Sequence, residues 1–320
     1  MTTSDVPGRD RYRRLLRVPR VAAATGALLA VSSVVVQALV LDDLSWPLLG
    51  VGIVATVVCV RALWNVVSFG AAAARRLEDL ASTLGGRFSW WRGGTGGLEA
   101  TPFAYGAEHE RFAVLDLQVD GVPVEIGHLA SQVSERYAAP TGRRHAYVVL
   151  GLPVRLPHMI LSFGHLSRVL GVRVVPEHWH RSQLLDVGLG RRAHLFVAGG
   201  GEHVARRFLT PDLVALLARV GRTYDIEIKG RRMYLIAARS VAAGSRRRWD
   251  RQRELLTSLA GALAADALWE PLRHMTRGAG TGEPALRADT TRAIVLVVTA
   301  MLVAIVVLSL LALYGAGIIR

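Results

Sequence analysis

The stretch LPVRLPHMIL, Leu152–Leu161, decides how the middle of this chain folds. It follows HAYVVLGL, His145–Leu152, a near-continuous apolar run that reads as an interior strand. Proline has no N–H to give to a ladder, so Pro153 and Pro157 do not suit the interior of a central strand. The residues before them are pushed towards extended geometry. The reading is a strand that leaves the sheet at Pro153, turns, and re-enters after Pro157 as HMILSF. There Met159 and Leu161 share one face, and His158 and Ile160 the other. A histidine alternating with an apolar residue is expected to be half-buried and held by a neighbour, not to be a ligand.

On either side the pattern is strand-rich. RFAVLDLQ and VPVEIGHL flank Val119, Asp120 and Gly121, the strongest hairpin signal in the chain. GVRVV and HLFVA are further short strands, and YDIEIKGRRMYLIAA reads as two strands around Lys229, Gly230 and Arg231. LTPDLVALLARVGR is a helix with Thr210 as N-cap and Pro211 at its first position. An amphipathic segment covers 246–271, its helix running from about Trp249 to Trp269 and ended by Pro271. Strands in the middle and helices on the flanks predict an α+β domain with a mainly antiparallel sheet.

Three apolar runs lie outside that domain: Val21–Leu41, Leu48–Phe69 and Ala293–Tyr314. Each meets the ~20 residues a spanning helix needs, and the first is too long for a signal-peptide core. The expected fold is therefore a membrane-anchored α+β protein with three transmembrane helices. Residues 1–20 form a basic cytoplasmic segment, 21–41 and 48–69 two spans, and 70–86 a helical stalk. The cytoplasmic α+β domain covers 87–245, the amphipathic helix 246–271, a linker 272–292, and the last span 293–314. Arginines flank the spans on one side: Arg9 to Arg20, then Arg75 and Arg76, then Arg273 to Arg292. The DDLSWP turn carries none. The positive-inside rule then predicts a multi-pass membrane protein with amino terminus and main domain cytoplasmic and carboxyl terminus outside.

The net charge is +14 over 320 residues, and Lys229 is the lone lysine. Residues 75–292 hold 31 Lys and Arg against 21 Asp and Glu. A basic domain beside an anionic inner leaflet gains about 1 kcal/mol per basic residue near the surface, so the lipid bilayer and its anionic inner-leaflet lipids are the expected partners. Nucleic acid is not expected, because no arginine stripe is interleaved with stacking aromatics.

Chemistry-bearing patterns are sparse. RGGTGGLEATP, from Arg92, lacks the GK[ST] of a phosphate loop and reads as a flexible loop. GGGEH, from Gly199, has no serine for a nucleophile elbow. His178 and His180 in PEHWHR would share a strand face and are weak metal candidates without a third ligand. Arg61, inside the second apolar run, is the one weak binding candidate, since a charge within a span is costly. Ala22, Gly26 and Ala30 give the first run a small-residue face suited to close helix packing, and with it a possible homo-oligomer. Cys59 is the only cysteine, so no disulfide forms within one chain. No catalytic residue, cofactor or metal site is assigned.

LPHMIL, followed by RRFLTPDLVALL and YDIEIKGRRMYLI, resembles a family of uncharacterised bacterial membrane proteins common in actinobacteria. The resemblance covers roughly residues 85 to 240. It implies amino-terminal spans and a cytoplasmic α+β domain of unknown function, and it carries no catalytic residue to a position here. After LPHMIL this chain departs from the family, reading SFGHLSRVLGVRVV in place of a longer polar stretch. The expected function is a binding or scaffold domain presented at the inner leaflet. The alternatives are a membrane-bound, hydrolase-like enzyme and an accessory subunit of a transporter or envelope complex with a membrane protein partner.

Overall fold

The computed structural model describes residues 6–40, 46–104, 108–132, 143–165, 184–186 and 193–275. The chain divides into two compact units. One holds Met1–Tyr12 and Ala71–Ala288, the other Arg13–Gly70 and Asp289–Arg320.

The first unit is built on a seven-stranded antiparallel sheet. Its strands are β1 (Arg87–Gly93), β2 (Glu108–Val119), β3 (Val122–Gln132), β4 (Arg143–Ser162), β5 (Leu184–Leu185), β6 (His194–Val197) and β7 (Asp225–Ala237). Helix α3 (Ala71–Leu84) packs on β1 and β2. The short α4 (Thr101–Ala104) lies beside β3. Helices α5 (Glu202–Phe208) and α8 (Asp266–Met275) pack on β4, α7 (Arg246–Ala264) on β2 and β3, and α6 (Pro211–Val220) on α7. The α+β expectation with an antiparallel sheet therefore matches the observed domain.

The Asp-Gly hairpin joins β2 to β3, with Val119 opposite Val122. Asp120 and Gly121 both have positive φ, 51° and 80°. That is the geometry whose twist matches the flanking strands, and glycine takes it without a Cβ penalty.

Leu152–Leu161 behaves differently from the expectation. The strand does not leave the sheet: β4 runs unbroken for 20 residues. On one side it keeps β7 as neighbour from Ala146 to Leu161, with irregularities between Gly151 and Leu156 and between Leu156 and Met159. On the other side β3 pairs up to Leu150, and β6 takes over at Met159. Pro153 and Pro157 sit in the gap between those two partners, where no ladder donor is required. β7 is likewise one strand, not two, and Gly230 lies opposite Leu156 at the irregularity.

The expected capping of α6 is present: Thr210 Oγ1 accepts from the Leu213 N–H. The last helical segment, expected over 246–271, starts at Arg246 with Ser245 as N-cap. It breaks at Ala265, and Pro271 falls inside α8. The opening of the chain is part of the sheet unit. Tyr12 is 1% exposed, with ring centroids 5.3 Å from Trp90 and 5.7 Å from Phe112. Arg9 and Arg11 lie over the rings of Trp90 and Trp91, contacts worth roughly 0.5–1 kcal/mol each at exposed sites.

The second unit contains most of α1 (Val6–Val40) and α2 (Trp46–Phe69). Here the expectation of three transmembrane helices is overturned. Among the described residues, no helix is long and apolar enough to cross a membrane. Helix α1 starts inside the arginine-rich leader, and α2 carries Arg61 within it. The multi-pass membrane placement, with its inside and outside termini, loses its basis with the spans. The third expected span, 293–314, lies outside the described residues.

At Gly26, α1 approaches α2 closely. A Cβ there would lie 3.0 Å from both Ala55 O and Cys59 N. The small-residue face thus serves packing within the chain. Gly26→Leu is expected to force these helices apart at a cost of about 1–3 kcal/mol. The thiol-labelling rate of Cys59 reads this directly: it rises in the variant, and an unchanged rate would rule out the close packing.

Candidate functional site

One face of the sheet is covered by a strap, Gly94–Ala104. Leu98, Ala100 and Phe103 pack on Leu129, Tyr147, Val149, Ile160, Tyr234 and Ile236. The Phe103 ring meets Tyr147 edge-on at 5.1 Å. The strap's buried residues are interspersed with exposed ones, and side chains from the sheet hold its backbone. Arg111 Nε donates to Gly94 O at 3.1 Å, Arg232 to Gly97 O, and Lys229 Nζ to Glu99 O at 3.2 Å. The Glu99 N–H donates to Tyr234 Oη at 3.2 Å. The Thr101 N–H donates to Glu227 Oε2 at 2.8 Å.

Glu227 is fully buried, and its other oxygen, Oε1, lies 2.8 Å from His158 Nε2. This is the neighbour that holds the His158 imidazole. The two side chains come from adjacent strands, β4 and β7, with Glu227 opposite Ile160. A second set surrounds Glu125, which accepts from Arg111 Nη1 at 2.8 Å and from Tyr147 Oη at 2.7 Å. Arg92 makes a bidentate pair with Asp116 beside it. Burial, then the Glu125 charge and hydrogen bond, push the Tyr147 hydroxyl well above its ordinary value. These carboxylates are filled by arginine, histidine, tyrosine and backbone donors. Glu227 directly, and Glu125 through Arg111, tie the strap to the sheet.

On the opposite side of β3, His128 is 1% exposed and 2.6 Å from Ser240 Oγ. Burial, reinforced by the Arg144 charge, lowers its pKa to about 3.

The arginines are arranged otherwise. Three of them, Arg246, Arg247 and Arg248, fill the first turn of α7, which has no acidic residue. Arg246 and Arg247 are exposed. A helix N-terminus carries roughly half a positive charge, so each cation there is unfavourable by about 0.3–1 kcal/mol. Arg76 of α3 adds to the same end by donating to Ala242 O at 2.8 Å and Gly244 O at 2.7 Å. Its neighbour Arg75 is exposed. The α7 acids, Asp250 and Glu254, come one and two turns later. Gln252 Nε2 donates to Thr223 Oγ1 at 3.3 Å, which places exposed Arg222 nearby. Two buried atoms, the Tyr224 hydroxyl and, further along α7, Gln252 Oε1, have no hydrogen-bond partner. Tyr224 is 1% exposed; burial raises its pKa, and the Arg248 charge opposes that shift. A buried, unpaired polar group costs about 1–3 kcal/mol.

The residues singled out from sequence lie elsewhere. Arg61 falls within α2, and its side chain is outside the described residues. His178 and His180 are also outside them. Among the described residues, no group of three His, Cys, Asp or Glu could hold a metal.

No protein-family model and no curated protein matches the chain. Among solved structures, the crystal structure of the mycobacterial trehalose monomycolate transport factor A, TtfA, is similar at 14% identity and a TM-score of 0.41. The overlap covers 59% of this chain and 94% of that chain. A likeness at this level sets neither fold nor function here.

Proposed function

We propose that the sheet domain is a docking module, and that the arginine cluster at the start of α7 holds an anionic partner. The observation that carries this reading is the first turn of α7, with three successive arginines and no acid. Such a turn opposes the helix dipole in the isolated protein, and a bound anion relieves both the dipole and the mutual repulsion. Guanidinium groups suit the task because their planar fork pairs phosphate or carboxylate oxygens two at a time. The strap network supports the same reading from the other side, since its acids are spent on structure.

Titration of the full chain with inorganic polyphosphate at several salt concentrations tests the idea. Ionic docking predicts an affinity that falls steeply and linearly on a log–log salt scale, as it does for counterion-releasing contacts. Absent binding, or binding indifferent to salt, contradicts the proposal.

A further inference from the structure

We infer that the neighbouring tryptophans of β1, Trp90 and Trp91, form a receptor for an arginine-flanked tyrosine on a helical turn, and that residues 8–12 of α1 are a releasable latch seated on it. This goes beyond the docking reading above and does not depend on it. Every contact involved lies within the sheet unit, to which Met1–Tyr12 belongs.

Neighbouring residues of a regular strand point to opposite faces. Trp90 and Trp91 do not. Trp91 stands opposite Phe112, and Phe112 opposite His128, so these three share a face. Phe88 leads through Leu115 to Ile126, two residues from His128 and on that same face. The Trp90 ring meets Phe88 edge-on at 5.2 Å, which puts it there too. Both indoles come to one side beside the bulge between Phe112 and Leu115. Ala113 stands in that bulge with a φ of 48°, where glycine is the usual residue, and it is fully buried. Strain of this kind persists where the surroundings impose it, and it gathers at ligand clamps and switch regions.

The opening of α1 matches this platform side chain for side chain. Gly8 and Tyr12, four residues apart, share one helical face, and both are buried. Tyr12 packs on Trp90 and Phe112 together. Arg9 lies 5.3 Å from the centroid of the Trp90 ring, and Arg11 lies 4.1 Å from that of Trp91. Arg9 is half-buried and Arg11 exposed, so both cations sit at the rim. Each such contact strengthens binding about two- to fivefold. One buried ring with two rim cations is the contact set of an exchangeable ligand. From Arg13 to its end α1 belongs to the other unit, so Tyr12 is the last residue of α1 that the sheet unit holds.

The test is the fluorescence anisotropy of a labelled peptide of residues 6–17, titrated with the full chain and with its Tyr12→Ala variant. The variant vacates the tyrosine position and keeps both tryptophans. It is expected to bind the peptide about tenfold or more tighter than wild type, whose own turn competes for the platform. A peptide carrying Tyr12→Ala is expected to lose that binding. The double variant Arg9→Gln, Arg11→Gln loosens the latch through its rim contacts alone and is expected to take up the peptide about fivefold better than wild type. Chain and peptide are both basic, so binding through the rings holds or rises as salt screens their repulsion. Polyphosphate binding has the opposite salt dependence, so the latch and the α7 docking site fail separately. Equal uptake by wild type and Tyr12→Ala, or none by the variant, overturns the latch. A Tyr12→Ala chain that does not fold also overturns it, because the turn would then belong to the core. A double variant no better than wild type removes the arginines from the recognition, and binding that falls with salt replaces the rings with carboxylates as the receptor.

Discussion

Replacing Glu227 with alanine is expected to cost about 1–3 kcal/mol of folding stability for each donor left without its acceptor, the usual cost of a buried unpaired polar group. Glu227 has no exposed surface and uses both oxygens, one on His158 and one on the Thr101 N–H. Its loss takes the acceptor from the buried Thr101 N–H and from His158, whose side chain is 11% exposed. A domain stable by 5–15 kcal/mol would lose a large share of that margin. Urea denaturation followed by tryptophan fluorescence measures the cost. Hydrogen exchange then locates it, because amides of Thr95–Ala104 are expected to lose protection before those of β2 and β3. His158→Gln keeps a donor facing the carboxylate and is expected to cost about 1–2 kcal/mol, within the range for a hydrogen bond to a charged group. A Glu227→Ala protein as stable as wild type would show that the strap is not pinned at this point.

The second large effect is on pH dependence. His128 has a pKa of about 3 in the folded chain against 6.5 for the free side chain, because burial and the Arg144 charge both oppose its protonation. The unfolded chain therefore binds this proton more tightly than the folded one. The contribution is complete above pH 6.5 and is lost as the pH falls towards 3. At pH 5 the loss amounts to about 2 kcal/mol, rising to about 4 kcal/mol at pH 3. His128→Asn removes the titrating group. Its stability starts lower at pH 7, through the lost imidazole packing, and then falls less than wild type between pH 6.5 and 4. Carboxylates contribute acid sensitivity to both proteins, so the difference between their two curves isolates His128. Parallel curves would mean that the imidazole protonates without unfolding.

Much of the sheet was legible in the residues because it is built from local signals. Asp120 and Gly121 fix a tight turn, and Thr210 with Pro211 fixes a helix start. The prolines were legible only in part. Their missing donors mark a place where pairing fails on one side, but a partner exchange from β3 to β6 depends on strands far apart in the chain. Likewise, nothing around His158 announces Glu227, which stands 69 residues later.

The arginine cluster was missed for a simple reason. The apolar face that marks the helix runs from Trp249 onward, so Arg246, Arg247 and Arg248 stand out in the sequence only as three cations at the edge of the 246–271 segment. Ser245 as N-cap puts them in the first turn, against the dipole. Ser245, with helix formers after it, was the available signal. The spans were over-read by counting apolar residues alone. The first apolar run belongs to a helix that begins in the arginine-rich leader, and the second carries Arg61 near its middle.

Docking at α7 requires that the position of the arginines, not the net charge, set the affinity. Two double variants remove the same charge from different places: Arg246→Gln with Arg247→Gln at the start of α7, and Arg206→Gln with Arg207→Gln, both exposed, on α5. The decisive measurement is their affinity for polyphosphate at one fixed salt concentration, beside that of wild type. The α7 pair is expected to weaken binding by about tenfold or more, at about 1 kcal/mol per exposed arginine contact, and the α5 pair to leave it within about twofold. Equal losses from the two pairs would mean that the protein attracts anions through its overall charge, and the docking site at α7 would have to be given up.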